Sequence, residues 1–101
     1  MAVSREVSLD GKMLTINITG RFDFGRHHDF RTSYESGLVR PDVVVVDLKG
    51  ATYLDSSALG MLLLLRDHVG GDKADVRVIN SNADVRKILA ISNFDKLFKI
   101  T

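Results

Sequence analysis

Apolar and polar positions alternate from the start of the chain, and the alternation changes phase once. Val3, Val7 and Leu9 share one parity, while Leu14, Ile16 and Ile18 form a second alternating set. Each set describes a strand with one buried face. Between them stands Asp10-Gly11, a dipeptide suited to a two-residue turn with positive φ, so the pattern predicts an antiparallel hairpin. From Arg26 to Leu38 the apolar residues are Phe30, Tyr34 and Leu38, spaced by four, which draws one narrow helical stripe. Pro41 separates this helix from Val43-Val44-Val45-Val46-Asp47-Leu48, whose unbroken valines read as a strand buried on both faces. A short turn then leads to Asp55-Ser56-Ser57 and a leucine-rich helix, apolar almost all round, that Gly70-Gly71 stops. Val76, Val78 and Ile79 predict another strand. Ser81 or Asn82 caps a third helix with Val85, Ile88 and Leu89 on its stripe, and a turn around Asp95 leads into Phe98 and Ile100.

Hairpin, helix, strand, helix, strand, helix is an α/β order. It implies a small mixed β-sheet beginning with the N-terminal hairpin, with parallel strands joined by right-handed crossovers and helices packed mainly on one side. Residues 1–101 are expected to form a single domain. Composition narrows the function more than the fold. With 45% hydrophobic and 27% charged residues the chain is ordinary globular material. A net charge of +1 argues against nucleic-acid binding, which calls for a concentrated basic face. There is no apolar run of about 18 residues to span a membrane, and the N-terminus lacks the apolar core of a signal peptide, so the expected location is cytoplasmic. The absence of cysteine removes disulfides, thiolate chemistry and cysteine metal sites together.

The chemistry-bearing stretch is Asp55-Ser56-Ser57. These residue types accept hydrogen bonds from the unpaired N–H groups that open a helix, and local chemistry alone makes them caps. The same place, with hydroxyls at the positive end of a helix dipole, suits a phosphate. Steps of 100° along the helix put Ser56, Gly60 and Asp67 on one side, continued by Leu64, Ser57 and His68. Ala58, Leu59, Leu62 and Leu65, with Leu63 at the edge, are expected to face the sheet. Leu64 is then an apolar residue on a polar face and a candidate partner contact, with Met61 at the border. Other chemistries find little support. Ser56 lacks the G-x-S-x-G elbow of a hydrolase, and no nucleotide-binding motif or cofactor site is apparent. His27 and His28 diverge by about 100° on a helix and cannot readily share one metal ion.

Leu54-Asp55-Ser56-Ser57-Ala58-Leu59-Gly60, coming after the valine strand, closely resembles the phosphorylation-site signature of STAS domains, the anti-sigma-factor antagonists of bacterial partner-switching systems. Gly20-Arg21-Phe22-Asp23 after the second strand is similar to the family's Gly-x-x-Asp element, and the tail from Leu89 to Ile100 matches its usual ending. Ala58 stands where many members have glycine. The resemblance covers essentially the whole chain. It implies a STAS fold and a switch protein that performs no catalysis itself, and nothing in the sequence demands more than a monomer. Unphosphorylated, the protein binds an anti-sigma factor or related serine kinase; phosphorylation of Ser56, rather than its neighbour Ser57, releases it; and a PP2C-type phosphatase resets it. The motifs and the exposed side of the helix together give the candidate contact set Asp23, Asp55, Ser57, Gly60, Met61 and Leu64, and the regulated output implied is transcription, motility or biofilm formation. A different class is compatible with the same fold: a constitutive STAS subunit of a lipid-transport or stress-sensing complex, in which the serine is a fixed helix-start residue.

Overall fold

Strand pairing begins where the alternation begins. β1 (Val3–Val7) and β2 (Met13–Phe22) are antiparallel, with Val3 opposite Ile18 and Val7 opposite Leu14. The structure, a computed structural model, describes residues 2–35 and 41–101. The turn is wider than the expected two residues. Ser8 N–H donates to Met13 C=O and Gly11 N–H to Ser8 C=O, each at 2.9 Å, so four residues make the connection. Leu9 therefore sits in the turn, fully exposed, and does not extend the apolar face of β1. Asp10 organises this loop. Its carboxylate accepts from the Ser8 hydroxyl at 2.7 Å and from Lys12 N–H at 3.0 Å. Those two bonds hold its carboxyl below the usual range.

The remaining elements follow as α1 (His27–Glu35), β3 (Val43–Leu54), α2 (Ser56–His68), β4 (Val76–Ile79), α3 (Ala83–Ile91) and β5 (Lys99–Ile100). Arg26, expected as the start of the first helix, lies in a 3-10 turn, Phe24–Arg26, and Leu38 lies outside the described residues. The short β5 adds a fifth strand beyond those expected. Strand order in the sheet is β1-β2-β3-β4-β5, parallel from β2 onward. Parallel crossovers of one hand that always step in the same direction leave every helix on the same face. Phe30 of α1, Leu62 and Leu65 of α2, and Val85 and Leu89 of α3 accordingly share one core with Ile16, Ile18, Val44, Val46 and Val78. Val45 points to the opposite face, which no described helix covers, yet is only 7% exposed. Thr15 and Arg77 are its neighbours in register on the two flanking strands, and Val43, on the same face, is half-buried.

β3 runs six residues past Leu48, where the alternation had suggested a turn. The reason lies in its register with β2. Asn17 pairs with Asp47 but Thr19 with Gly50, and Gly20 pairs with Ala51 but Arg21 with Tyr53, so β3 carries one extra residue at each of two places. Each irregularity shifts the side-chain parity, and the buried residues become Leu48, Ala51 and Leu54, spaced by three. Gly50 is required here: a Cβ would stand 2.6 Å from Thr19 Cγ2 and 3.3 Å from the Ile18 carbonyl oxygen. Asn82 fastens this irregular segment to α3. Its Oδ1 accepts from Val85 N–H at 2.8 Å, capping the helix, while its Nδ2 donates to Ala51 C=O at 3.3 Å. β2 likewise runs through Phe22, and Gly20, at φ +77°, takes the left-handed conformation just before the second irregularity.

Candidate functional site

The end of the sheet where β2 and β3 stop carries the residues singled out by sequence. Phe22 and Leu54 are partners in register, both buried, and the chain leaves the sheet after each. Asp23 and Asp55 are the next residues on adjacent strands, which brings two carboxylates to one corner. In α/β sheets the carboxyl ends of parallel strands are where ligands and partners meet the fold.

Asp55 is the N-cap of α2. It is extended (φ −118°, ψ −175°), and its Oδ1 accepts from Ala58 N–H at 3.1 Å. Of the three residues able to cap, the aspartate makes the bond and neither serine does. Ser56 becomes the first helical residue, exposed, and Ser57, the second, is half-buried. Asp23 also caps, at smaller scale: its Oδ1 accepts from Gly25 N–H at 3.0 Å, opening the 3-10 turn. Its other oxygen lies 3.4 Å from Arg21 Nε. The Arg21 guanidinium in turn lies over the Tyr53 ring, 3.9 Å from its centroid. Such a contact with an exposed cation contributes about 0.5–1 kcal/mol and fixes the arginine beside Asp23. The corner therefore holds two carboxylates and one guanidinium, a milder field than two acids alone.

Down α2, the exposed side is the one the 100° steps describe. Gly60, Leu64, Asp67 and His68 are exposed, and Leu64 is 56% so. Met61 departs from expectation. Placed at the border of this face as a contact residue, it is buried at 5% exposure and belongs to the core, whereas Leu59 is only half-buried and Leu63 is exposed. The whole helix is turned roughly half a residue step toward Met61. The cause is α1, which packs along that flank: the Tyr34 and His68 rings lie 5.1 Å apart, and His68 is two turns beyond Met61. With leucines on both flanks, α2 contains no internal signal for this rotation.

Between α1 and α2 runs an open groove of about 370 Å³ lined by Arg31, Tyr34, Glu35, Leu64, Asp67 and His68. Arg31 Nε pairs with Glu35 at 2.9 Å, which holds the guanidinium above its usual range, and burial pushes the Tyr34 phenol up. Among the described residues no group of three or more His, Cys, Asp or Glu is placed to hold a metal ion. No described helix is long and apolar enough to cross a membrane.

Phe24, which the sequence patterns did not single out, also stands at this corner. It is 69% exposed beside Asp23, with its ring stacked on His27 at 5.2 Å and an interplanar angle of 12°. The available signal was its position outside the Phe30–Tyr34 spacing of the helix that follows.

Comparison with known proteins gives a consistent answer. A family model described as "Mlab, STAS domain" matches residues 6–100. A STAS-domain containing protein of Pseudomonas aeruginosa (strain UCBPP-PA14) is 61% identical over 101 residues, all of both chains. An anti-sigma factor antagonist from Mycobacterium paratuberculosis superposes with a TM-score of 0.75 at 17% identity, covering 97% of this chain and 84% of that one. The Bacillus cell fate determinant SpoIIAA in its phosphorylated form superposes with a TM-score of 0.67 at 16% identity, covering 99% and 91%.

Proposed function

This chain belongs to the STAS family, and from that premise we propose that it is a phosphorylation-controlled partner switch, an anti-sigma-factor antagonist whose acceptor is Ser56. One observation carries the reading: Ser56 is exposed at the first position of α2 while Asp55 makes the capping bond. The hydroxyl is thus open to an enzyme, and its modification leaves the cap in place. A phosphoserine adds about −1.5 to −2 charge near neutral pH. The N–H groups at the start of α2 tolerate that charge, so the domain stays folded. A partner docked over Asp23, Asp55, Ser57, Gly60 and Leu64 meets new bulk and a charge that it has to desolvate. A difference of about 3 kcal/mol in binding is enough for a change in Kd above a hundredfold.

The protein supplies a hydroxyl and a surface, and the catalysis belongs to its partners. A serine kinase, itself the anti-sigma factor or a relative of one, transfers the γ-phosphoryl group of ATP: the Ser56 Oγ–P bond forms, the P–O bond to ADP breaks, and the hydroxyl proton passes to the kinase. A PP2C-type phosphatase hydrolyses the ester and restores the binding state. In this reading the protein is a cytoplasmic monomer when free, and its output is transcription, with motility or biofilm formation downstream. That a solved structure of the same fold is described in a phosphorylated form supports the reading.

A second reading keeps the fold and drops the switch: a constitutive subunit of a lipid-transport or stress-sensing complex, with Ser56 as a fixed helix-start residue. The matching family model is described as "Mlab, STAS domain" and not as an antagonist, which keeps this reading beside the first. Mapping of phosphosites by mass spectrometry on protein from its native cells separates the two. Phosphate at Ser56 that disappears with a dedicated serine kinase supports the switch. An unmodified serine under conditions where the pathway is active favours the constitutive subunit.

A further inference from the structure

We propose that Phe24 is the aromatic anchor by which the kinase that modifies Ser56 holds this chain, an inference that rests on the switch reading above. Four of the five phenylalanines, Phe22, Phe30, Phe94 and Phe98, are buried in the core, and Phe24 alone stands in solvent. Two local contacts also orient it. The Asp23 cap fixes the 3-10 turn that carries it, and its ring lies flat on His27. An exposed aromatic ring ordered before binding loses little entropy on docking, and residues of this kind dominate interface energies.

Its location selects the occupant. Phe24 is two residues beyond Phe22, Ser56 is two residues beyond Leu54, and Phe22 and Leu54 are register partners on adjacent strands about 4.8 Å apart. Phosphoryl transfer brings the donor phosphorus to within about 3–3.5 Å of Ser56 Oγ, so the kinase has to cover this end of the sheet. A protein interface of ordinary size occupies about 800 Å² on each side, enough for one centred on Ser56 to reach the adjacent strand end that carries Phe24. The kinase surface is accordingly an apolar pocket for the ring, bordered by cationic groups that answer Asp23 and Asp55. Asp23 then has a second use: it sets the turn that presents the ring.

The test compares the phosphate occupancy of Ser56, by intact-mass spectrometry on protein from native cells, in the wild type, Phe24→Ala and Phe24→Leu. It is read together with the Tm and sedimentation of each purified protein. The expected result is a Tm for Phe24→Ala within about 2 °C of wild type, an occupancy lower by at least about tenfold, and substantial recovery in Phe24→Leu. Equal phosphate on wild type and Phe24→Ala overturns the anchor while leaving the switch intact. A large fall in Tm overturns it by making the ring structural. A wild-type dimer that Phe24→Ala dissociates overturns it in favour of a second copy of this chain as the occupant. No phosphate on the wild type removes the switch and the anchor together.

Discussion

Gly60→Ala gives the sharpest test of how α2 sits in the molecule. Glycine in a helix interior is less favourable than alanine by about 0.8–1.0 kcal/mol, because the unfolded chain has more freedom to lose. That gain is usually offset where a new methyl group clashes, but a Cβ at Gly60 meets nothing within 4 Å, and the residue is exposed with a helical backbone. The substitution should therefore stabilise the fold by about 1 kcal/mol, which raises Tm by about 4–5 °C for a domain of this size. Thermal unfolding followed by circular dichroism, with a urea titration as a second measure, reads this directly. The urea midpoint should rise with the slope unchanged. An unchanged or lowered Tm would refute the placement of Gly60 on an open helix face. The same variant also informs function: since nothing inside the fold asks for a bare position here, a loss of partner binding accompanied by a gain in stability marks Gly60 as a point of close approach.

Three further outcomes are expected. Met61→Ala should cost about 2–5 kcal/mol, as truncation of a buried methionine does, whereas Leu64→Ala should stay within about 0.5 kcal/mol; chemical denaturation of both checks the rotation of α2, and equal costs would contradict it. Asn82→Asp keeps the cap of α3 but loses the donor to Ala51 C=O, whereas Asn82→Ala loses both; Tm should fall in the order wild type, Asp, Ala, with the cap alone worth about 1 kcal/mol. The Arg77 guanidinium, hydrogen-bonded to Asp75, holds that carboxyl below its ordinary value of 3.8, so the unfolded chain binds this proton more readily than the folded one. The stabilisation is complete above the ordinary value and fades as pH falls through the lower folded value, so the stability gap between wild type and Arg77→Gln should narrow on acidification, as urea titrations at a series of pH values would show.

What was legible in the sequence was what periodicity encodes. β1, β2, the valine half of β3, β4 and the stripes of α1 and α3 all follow from alternation or from steps of three and four. The second half of β3 was hidden because two extra residues relative to β2 break its parity, leaving a spacing of three that resembles neither strand nor helix. The two residues of β5 are too few to show a period. Met61 was misplaced for a different reason: α2 is apolar on both flanks, and its rotation is set by where α1 lies, which is a property of the fold and not of α2. At the candidate site, the pairing of Asp23 with Asp55 could be anticipated from their motifs, but the Arg21–Tyr53 contact depends on a register that the irregularities of β3 had concealed.

These placements separate stability from recognition. The residues that hold the corner together make their bonds inward: Asp55 to Ala58 N–H, Asp23 to Gly25 N–H, and Asn82 to α3 and β3. Of those assigned to recognition, Ser56, Gly60, Leu64 and Phe24 are exposed, while the half-buried Asp23 and Asp55 serve both tasks. A group can be added to Ser56 without removing any bond that the helix uses to start. The proposed switch then needs no second conformation of the domain, because a phosphate at Ser56 would act on what can approach the corner rather than on how the corner is built. Phosphorylated protein should accordingly keep the Tm of the unmodified form to within about 2 °C while losing its partner. A large stability change on phosphorylation would instead mean that the Ser56 hydroxyl has a structural task, and that the partner is released by rearrangement of α2.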